Sequence, residues 1–460
     1  MRCQAQQGQA QQGHVVGGAQ KLMATAGQQS TGRAGLTASV LIVLTMAARL
    51  GAVVTIGDPQ HPSWEYGNIA WHLNTGHGFA IRLNHIFPPK VAPSMKTRWM
   101  MPFYPYVLAW TKAVSPDSYV PLYVVQSLLA GFAAFLVFRL GAASYGTRAA
   151  LFSTALFCIY PSFVYACVIP HPMCWEITAV PLALLASRSY LARRSIASLA
   201  GCAAATLWAI YIRSAWVVLI PIVIVLLSLG SGGWRPCLRS AVLFCSLVAV
   251  GVSPWAARNW VEFGSPALTS IDFPLWEGHN SLGNPTGYDA SGRKVASVRV
   301  FHPELYAQMD AVKGEGESVV LGVLREAALK EIRERPLLNL VVLPAKRIFY
   351  YTLWEPFHPK TGNWLLYRLP YLAILVPGVL GLSLSWRDRG TSLRFGFHSV
   401  LGVWLAGCAT VALFHYLPRF RMPAELMLMF PGGYCADRAL SWVSRRINRG
   451  QVRNAANGSR

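Results

Sequence analysis

An all-α polytopic membrane protein is the fold class this sequence predicts, on three observations. Of 460 residues, 53% are hydrophobic and only 13% charged, about half the charge of an ordinary soluble domain. The apolar residues come in long, nearly uncharged blocks rather than at the period of an amphipathic element. The 16 tryptophans suit aromatic belts at a membrane–water interface.

A helix rises about 1.5 Å per residue, so crossing a hydrocarbon core of about 30 Å takes about 20 residues. Blocks of suitable length run over 36–56, 118–140, 148–168, 173–190, 196–212, 214–230, 238–257, 364–385, 394–415 and 422–442. The segment 103–114 is apolar but too short to cross unaided. It follows Pro102, contains Pro105 and reads as a partial or kinked helix. The total expected is about 10 to 12 crossings.

A net charge of +22 is the mark of many nucleic-acid binders. Here the arginines lie mostly between apolar blocks and in the tail, so the positive-inside rule explains them and no nucleic-acid partner is implied. Arg139–Arg148, Arg188–Arg194, Arg235–Arg239, Arg387–Arg394 and the tail from Arg445 onward should be cytoplasmic. That places both termini inside and the loops 57–102 and 258–363 outside. Residues 1–35, rich in Gln, Gly and Ala, read as a disordered tail, with Met23 as an alternative start; 446–460 read as a basic cytoplasmic tail. The domain between them is 36–445. The nine cysteines form no CxxC or metal-like spacing and imply no disulfide framework.

Each outward loop carries an amphipathic stretch. In the first, Glu65–Asn74 aligns Tyr66, Ile69, Ala70 and Leu73 on one face, and Gly76 and Gly78 follow as terminators. In the second, Ser318–Arg335 aligns Val319, Val320, Leu324, Ala327, Ala328 and Ile332, and should lie on the bilayer or on the first loop.

Acids are scarce, 19 in all, and the first loop has two, Asp58 and Glu65. A carboxylate at a membrane surface can act as general base toward an acceptor hydroxyl or amine; the plainer role is a helix cap or an ion pair with Arg82, Lys96 or Arg98. Arg258, Lys346, Arg347, Arg419 and Arg421 lie at outward span ends, against the positive-inside bias, where a lipid phosphate presents its charged oxygens. Snorkelling toward ordinary headgroups is the competing explanation. His61, His72, His77 and His85 match no standard ligand spacing. No cofactor is firmly implied, and a divalent metal stays open. The turn GHNSLGNPTG at 278–287 is no nucleotide-binding fingerprint.

Taken in order, a first span, EYGNIAWHLNTGHGF, MPFYPYVLA, SPWAARNWVEFG, LWEGHNSLGNPTGYD, the helix before Pro336 and YLPRFRMPAE resemble the GT-C superfamily of membrane glycosyltransferases. The likeness covers 36–440 and is to the bacterial relatives of the protein mannosyltransferases and of the lipid A aminoarabinose transferase. It implies a bacterial inner-membrane enzyme that takes a sugar from a polyprenyl-phosphate donor in the cell envelope. The catalytic acid would sit in the first outward loop, hence Glu65 or Asp58. The donor phosphate would meet arginines such as Arg258, Arg419 and Arg421, with Lys346 and Arg347 nearby. Tyr66, Asn259, His279 and Asn280, within or beside the matched motifs, would lie on the acceptor and sugar side. One departure is that the family often places its acid three or four residues before the loop tyrosine, where this chain has Ser63 and Pro62. The sugar and the acceptor (lipid, protein or polysaccharide) are not specified. Two other classes are compatible with the sequence: a lipid-linked sugar transporter or flippase, though the chain shows no internal repeat, and a non-catalytic scaffold of envelope polysaccharide assembly.

Overall fold

In the computed structural model, residues 33–84, 86–88, 90–229, 233–283, 285, 298–353, 368–388 and 390–458 are described. Most of the 1–35 tail, His85, most of 284–297, the end of the second loop (354–363) and the last two residues of the basic tail lie outside them. Each expected block is a helix or a pair of helices. They are α1 (Arg33–Ile56), α4 (Val120–Tyr145), α5 (Thr147–Ile159) with α6 (Pro161–Tyr165), α7 (Met173–Arg193), α8 (Ile196–Ile212) and α9 (Leu219–Ser228). Then follow α10 (Trp234–Phe263), α16 (Leu369–Arg387), α17 (Thr391–Leu413) and α18 (Met422–Gly458). Among the described residues, α1, α4, α10, α16 and α17 are long and apolar enough to cross a bilayer singly. The chain is an all-α, multi-pass membrane protein. The segment 103–114 is the short helix α3 (Phe103–Val114), about 18 Å long at 1.5 Å per residue.

Exposed leucines and valines mark the lipid side: Leu36, Val40 and Val54 on α1, Val242 and Val250 on α10, Val376 and Val379 on α16. Inside, helices approach through small residues. Gly381 of α16 faces the Pro431 carbonyl of α18 so closely that a Cβ would overlap it. On the other side of α18, Ser153 of α5 donates to the Met429 carbonyl at 2.9 Å. Hydrocarbon supplies little driving force for helix association, so such close backbone packing holds the bundle.

The break between α5 and α6 shows how the chain satisfies its backbone. Pro161 has no N–H to return to the carbonyl four residues earlier, Phe157. Arg49 of α1, fully buried, donates instead to the carbonyls of Phe157 and Cys158, both at 2.9 Å. Its charge is therefore absorbed at a helix C-terminus, which favours cations.

The two long loops pack at one end of the spans. The first holds α2 (Trp64–Asn74) and a two-stranded antiparallel hairpin, β1 (Ala80–Arg82) with β2 (Ser94–Lys96), that the sequence reading did not foresee. The second holds α11 (Asp272–Gly278), α12 (Val298–Phe301), α13 (Pro303–Ala311), α14 (Glu317–Glu334) and α15 (Leu343–Thr352). The amphipathic helix expected over 318–335 is α14. It turns Val320, Leu321, Leu324 and Ala328 inward, against α11 and α13, and leaves Val319 exposed.

The loops are joined at Glu317, which opens α14. Its buried carboxyl accepts from the Thr97 hydroxyl and, at 2.8 Å, from the Arg98 amide. Arg258, at the end of α10, donates to the Thr97 carbonyl at 2.7 Å, and Ser270 N to the Arg98 carbonyl at 3.0 Å. Burial dominates the Glu317 proton equilibrium and raises it to about 7, against the Arg98 and Thr97 hydrogen bonds and the Arg98 and Arg258 charges.

Two outcomes follow. Gly381→Ala should push α16 from α18 and destabilise the protein by about 1–3 kcal/mol, read as a lower melting temperature in detergent. Because the folded pKa of Glu317 lies above its unfolded value, the folded state holds more protons between them. Its contribution is therefore fully present below about 4.5 and falls as pH rises to about 7, by on the order of 3 kcal/mol. Melting curves from pH 4.5 to 8 should show this slope in the wild type and a flatter one in Glu317→Gln.

Candidate functional site

Between the first loop and the span ends lies a group of charges from five parts of the chain. Glu65 and Tyr66 come from the first turn of α2, where the helix dipole favours an acid. Glu176 is in the first turn of α7, and Arg213 directly follows α8. Glu277 closes α11, and His415, Arg419 and Phe420 occupy the turn between α17 and α18.

Phe420 is the shared centre. The Arg213 guanidinium stands 4.5 Å from its ring centroid, that of Arg419 5.7 Å, and the His415 ring 5.4 Å. Arg213 also meets Glu176 at 3.3 Å, whose other oxygen accepts from the Trp216 indole at 3.1 Å. His415 Nε2 lies 3.2 Å from Glu277, both nearly buried. Arg419 keeps an exposed surface, and the charges of Arg213, Glu65 and Glu277 act on it. Burial first, and then the Arg213 charge, pull Arg419 below the ordinary arginine range, while Glu65, Tyr66 and Glu277 oppose this.

Neighbouring groups feel the same field. His171, whose ring packs edge-on to Tyr66 at 5.8 Å, is held well below the ordinary histidine range by burial, then by Arg419, Arg213 and His61. Tyr66, buried against Tyr104 as well, has its phenol pushed up to about 12, chiefly by burial, with Arg213, Glu176, Arg419 and Glu65 the charges acting on it. An acid, two guanidinium groups and a neutral imidazole thus share one enclosure. Such a set can accept a proton and hold an anion.

The other residues singled out from sequence fall elsewhere. The exposed Asp58 accepts from the Gln60 amide at 2.9 Å, capping a turn. Arg258 spends its guanidinium on the carbonyls of Thr97 and Phe79 and on Asn259. Asn259 is buried and donates to the Ala267 carbonyl at 2.8 Å. Arg421 pairs with Glu425 at 2.7 Å, lies over the Tyr371 ring at 3.6 Å and donates to the Leu353 carbonyl. Arg347 is fully buried and donates to the carbonyls of Ala412 and Gly278, while Lys346 beside it is exposed.

These bonds build the wall behind Glu277. His279 bonds Asn339 at 3.1 Å and the Leu413 carbonyl at 3.0 Å, and Asn280 returns to the Glu277 carbonyl at 3.1 Å. Gly278 faces the Phe414 carbonyl where any Cβ would overlap it. The end of α11 is thereby stitched to the end of α17, one residue from His415.

Sequence reasoning passed over Arg213, Glu277, His415 and Phe420. A signal existed for two of them: Arg213 is a lone charge closing an apolar run, and Glu277 is a rare acid inside LWEGHN. The histidines of the first loop disperse. His72 is buried and lowered to about 4, by burial and then His77 and Arg82, and His61 faces the Pro62 carbonyl. Among the described residues, no group of three or more His, Cys, Asp or Glu could hold a metal ion.

No family model matches the sequence, and no curated protein does. Among solved structures, the chain is similar to the oligosaccharyltransferase AglB of Archaeoglobus fulgidus in complex with an inhibitory peptide and a dolichol-phosphate. That match has 13% identity and a TM-score of 0.52, and covers 91% of this chain and 52% of that one. The apo form of the same oligosaccharyltransferase matches at 12% identity over 91% of this chain and 52% of that one, again with a TM-score of 0.52. ArnT of Cupriavidus metallidurans bound to undecaprenyl phosphate matches at 14% identity over 89% of this chain and 79% of that one, with a TM-score of 0.41. This chain spans about half the length of the oligosaccharyltransferase. The bundle, with its two long loops packed at one end, shares the fold of the part of the oligosaccharyltransferase that it matches.

Proposed function

We propose that the chain transfers a sugar from a polyprenyl-phosphate donor to an acceptor at the membrane face carrying the two long loops. That face is the outer one of a bacterial inner membrane, by the positive-inside pattern of the arginines between spans. The observation that carries the proposal is the enclosure of Glu65 with Arg419 and Arg213, the two guanidinium groups set about Phe420. A solved neighbour of the same fold is in complex with a dolichol-phosphate, which agrees with a lipid phosphate as the anion.

The chemistry is an inverting displacement. The acceptor oxygen or nitrogen attacks the anomeric carbon and gives its proton to Glu65. The bond from that carbon to the phosphate oxygen breaks, and its electron pair leaves on the lipid phosphate. Arg419 and Arg213 meet the growing charge, in surroundings where such attraction exceeds that in water. Glu176 holds Arg213 in place through their ion pair, and Glu277 does the same for His415. Of the two first-loop acids, Glu65 is the base we favour, because the Asp58 carboxylate caps a turn at an exposed position. Arg258, Arg347 and Arg421 shape the walls through backbone carbonyls, and Tyr66 bounds the acceptor side.

Membranes supplied with polyprenyl-phosphate sugar provide the test. Glu65→Gln should lower transfer by about 10²–10⁴-fold, while Asp58→Asn should stay within a few-fold. Full transfer by Glu65→Gln, with the protein folded and present, would sink the mechanism. Arg419→Ala should cost about 10²–10³-fold. In Arg213→Lys the charge survives but the planar fork does not; a loss there close to that of Arg419→Ala would identify a paired anion clamp.

A further inference from the structure

The sequence places 258–363 on the outer side as one loop and assigns no apolar block within it. Within it, Leu338–Val342 forms a single wide turn that leads directly into α15. Along this segment Asn339, Leu343, Arg347 and Tyr351 recur every fourth residue and are all buried. Leu337, Leu340, Val341, Ile348 and Phe349 are exposed, at 70%, 60%, 56%, 37% and 52% of their surface. Five large apolar side chains on one free helical stripe form a contiguous patch of the kind that marks a membrane or partner surface.

Depth decides between these. Arg347 bonds the carbonyl of Ala412, next to the last residue of α17. Tyr351, one turn on, packs its ring 5.5 Å from that of Trp404 and its hydroxyl against Gly407. The contacts of α15 along α17 thus reach from Ala412 to Trp404, about 12 Å of a membrane-spanning helix at 1.5 Å per residue, while the Tyr351 ring also stands 6.4 Å from that of Tyr416 at the outer turn. α15 therefore descends alongside α17, whose own Leu405 and Leu413 are exposed beside it. Lys346 sits at the level of Ala412, where an ammonium can reach headgroups.

We propose that Leu337–Thr352 is embedded in the lipid leaflet on the loop side, with Leu337, Leu340, Val341, Ile348 and Phe349 against hydrocarbon chains. Helical backbone bonds make this tolerable without water. The buried face grips the site, since Asn339 holds His279 and Arg347 holds Gly278. A lipid seated on the outer stripe thus places its headgroup near the end of α11. This placement does not depend on the transfer reaction.

The test uses the full chain in phosphatidylcholine–phosphatidylglycerol vesicles. Leu340→Cys, Phe349→Cys and, on exposed α14 of the same loop, Glu326→Cys are treated with a charged, impermeant maleimide and read peptide by peptide, which separates them from native cysteines. Thiolate formation is suppressed in hydrocarbon, so positions 340 and 349 should label at least about tenfold more slowly than 326. In the wild-type chain, a hydrophobic diazirine dissolved in the bilayer should label the peptides carrying 337–346 and 348–353. Maleimide labelling at 340 and 349 as fast as at 326 overturns the proposal by placing the segment in water. Protection from both reagents overturns it too, because protein and not lipid would then cover the stripe.

Discussion

Where the backbone of this protein breaks, its carbonyls have to be satisfied without water, and that constraint decides what several of its buried or half-buried arginines do. Arg49 serves the α5 end that Pro161 leaves open. Arg347 serves Ala412 and Gly278, Arg421 serves Leu353, and Arg258 serves Thr97 and Phe79. A guanidinium suits the task because its donors diverge in a plane and its charge improves each bond. Leaving a buried carbonyl unpaired costs more than a bond is worth, so these arginines are held by the fold. The fold in turn is held open around them, with helix ends and loops kept apart at fixed distances.

Against that background Arg213 and Arg419 differ. Arg213 has an acid partner in Glu176 yet keeps its face toward Phe420, and Arg419 presents free surface inside an enclosure. Two guanidinium groups about one aromatic ring repel each other. Burial does most to depress the proton affinity of Arg419 and of His171, and this repulsion adds to it in both. An arrangement that costs free energy when empty regains it when an anion arrives. That asymmetry suits the departing phosphate of the proposed transfer.

The helices were legible in the sequence because hydrocarbon imposes one rule, an unbroken apolar block of about 20 residues. The blocks became α1 and α4 to α10, then α16 to α18, and the doubtful 103–114 became a helix of twelve residues. The site was legible only in part. Glu65 stood out because acids are rare, but nothing local separates an arginine that caps carbonyls from one whose guanidinium stays exposed beside an aromatic ring. Arg258 and Arg419 look alike in sequence; they differ in whether Thr97 and Phe79, more than 150 positions away, arrive beside them. The hairpin 80–96 was missed for a related reason, since three-residue strands carry too little alternation to register.

The same non-local logic explains why both long loops are required. Glu65 belongs to the first loop and Glu277 to the second, and the buried residues of both loops share one core cluster with the spans. The Glu317 carboxyl, desolvated and bonded to Thr97 and Arg98, fixes one to the other at α14. The stitching of α11 to α17 through Gly278 and His279 then fixes that joint to the bundle. Free energy spent in burying Glu317 is therefore spent on registry: it brings an acid from one loop opposite the cations of a span end. A sequence in which either lock were lost would keep its spans and its membrane topology, because those depend on hydrophobic length alone, and would lose the distance between Glu65 and Arg419.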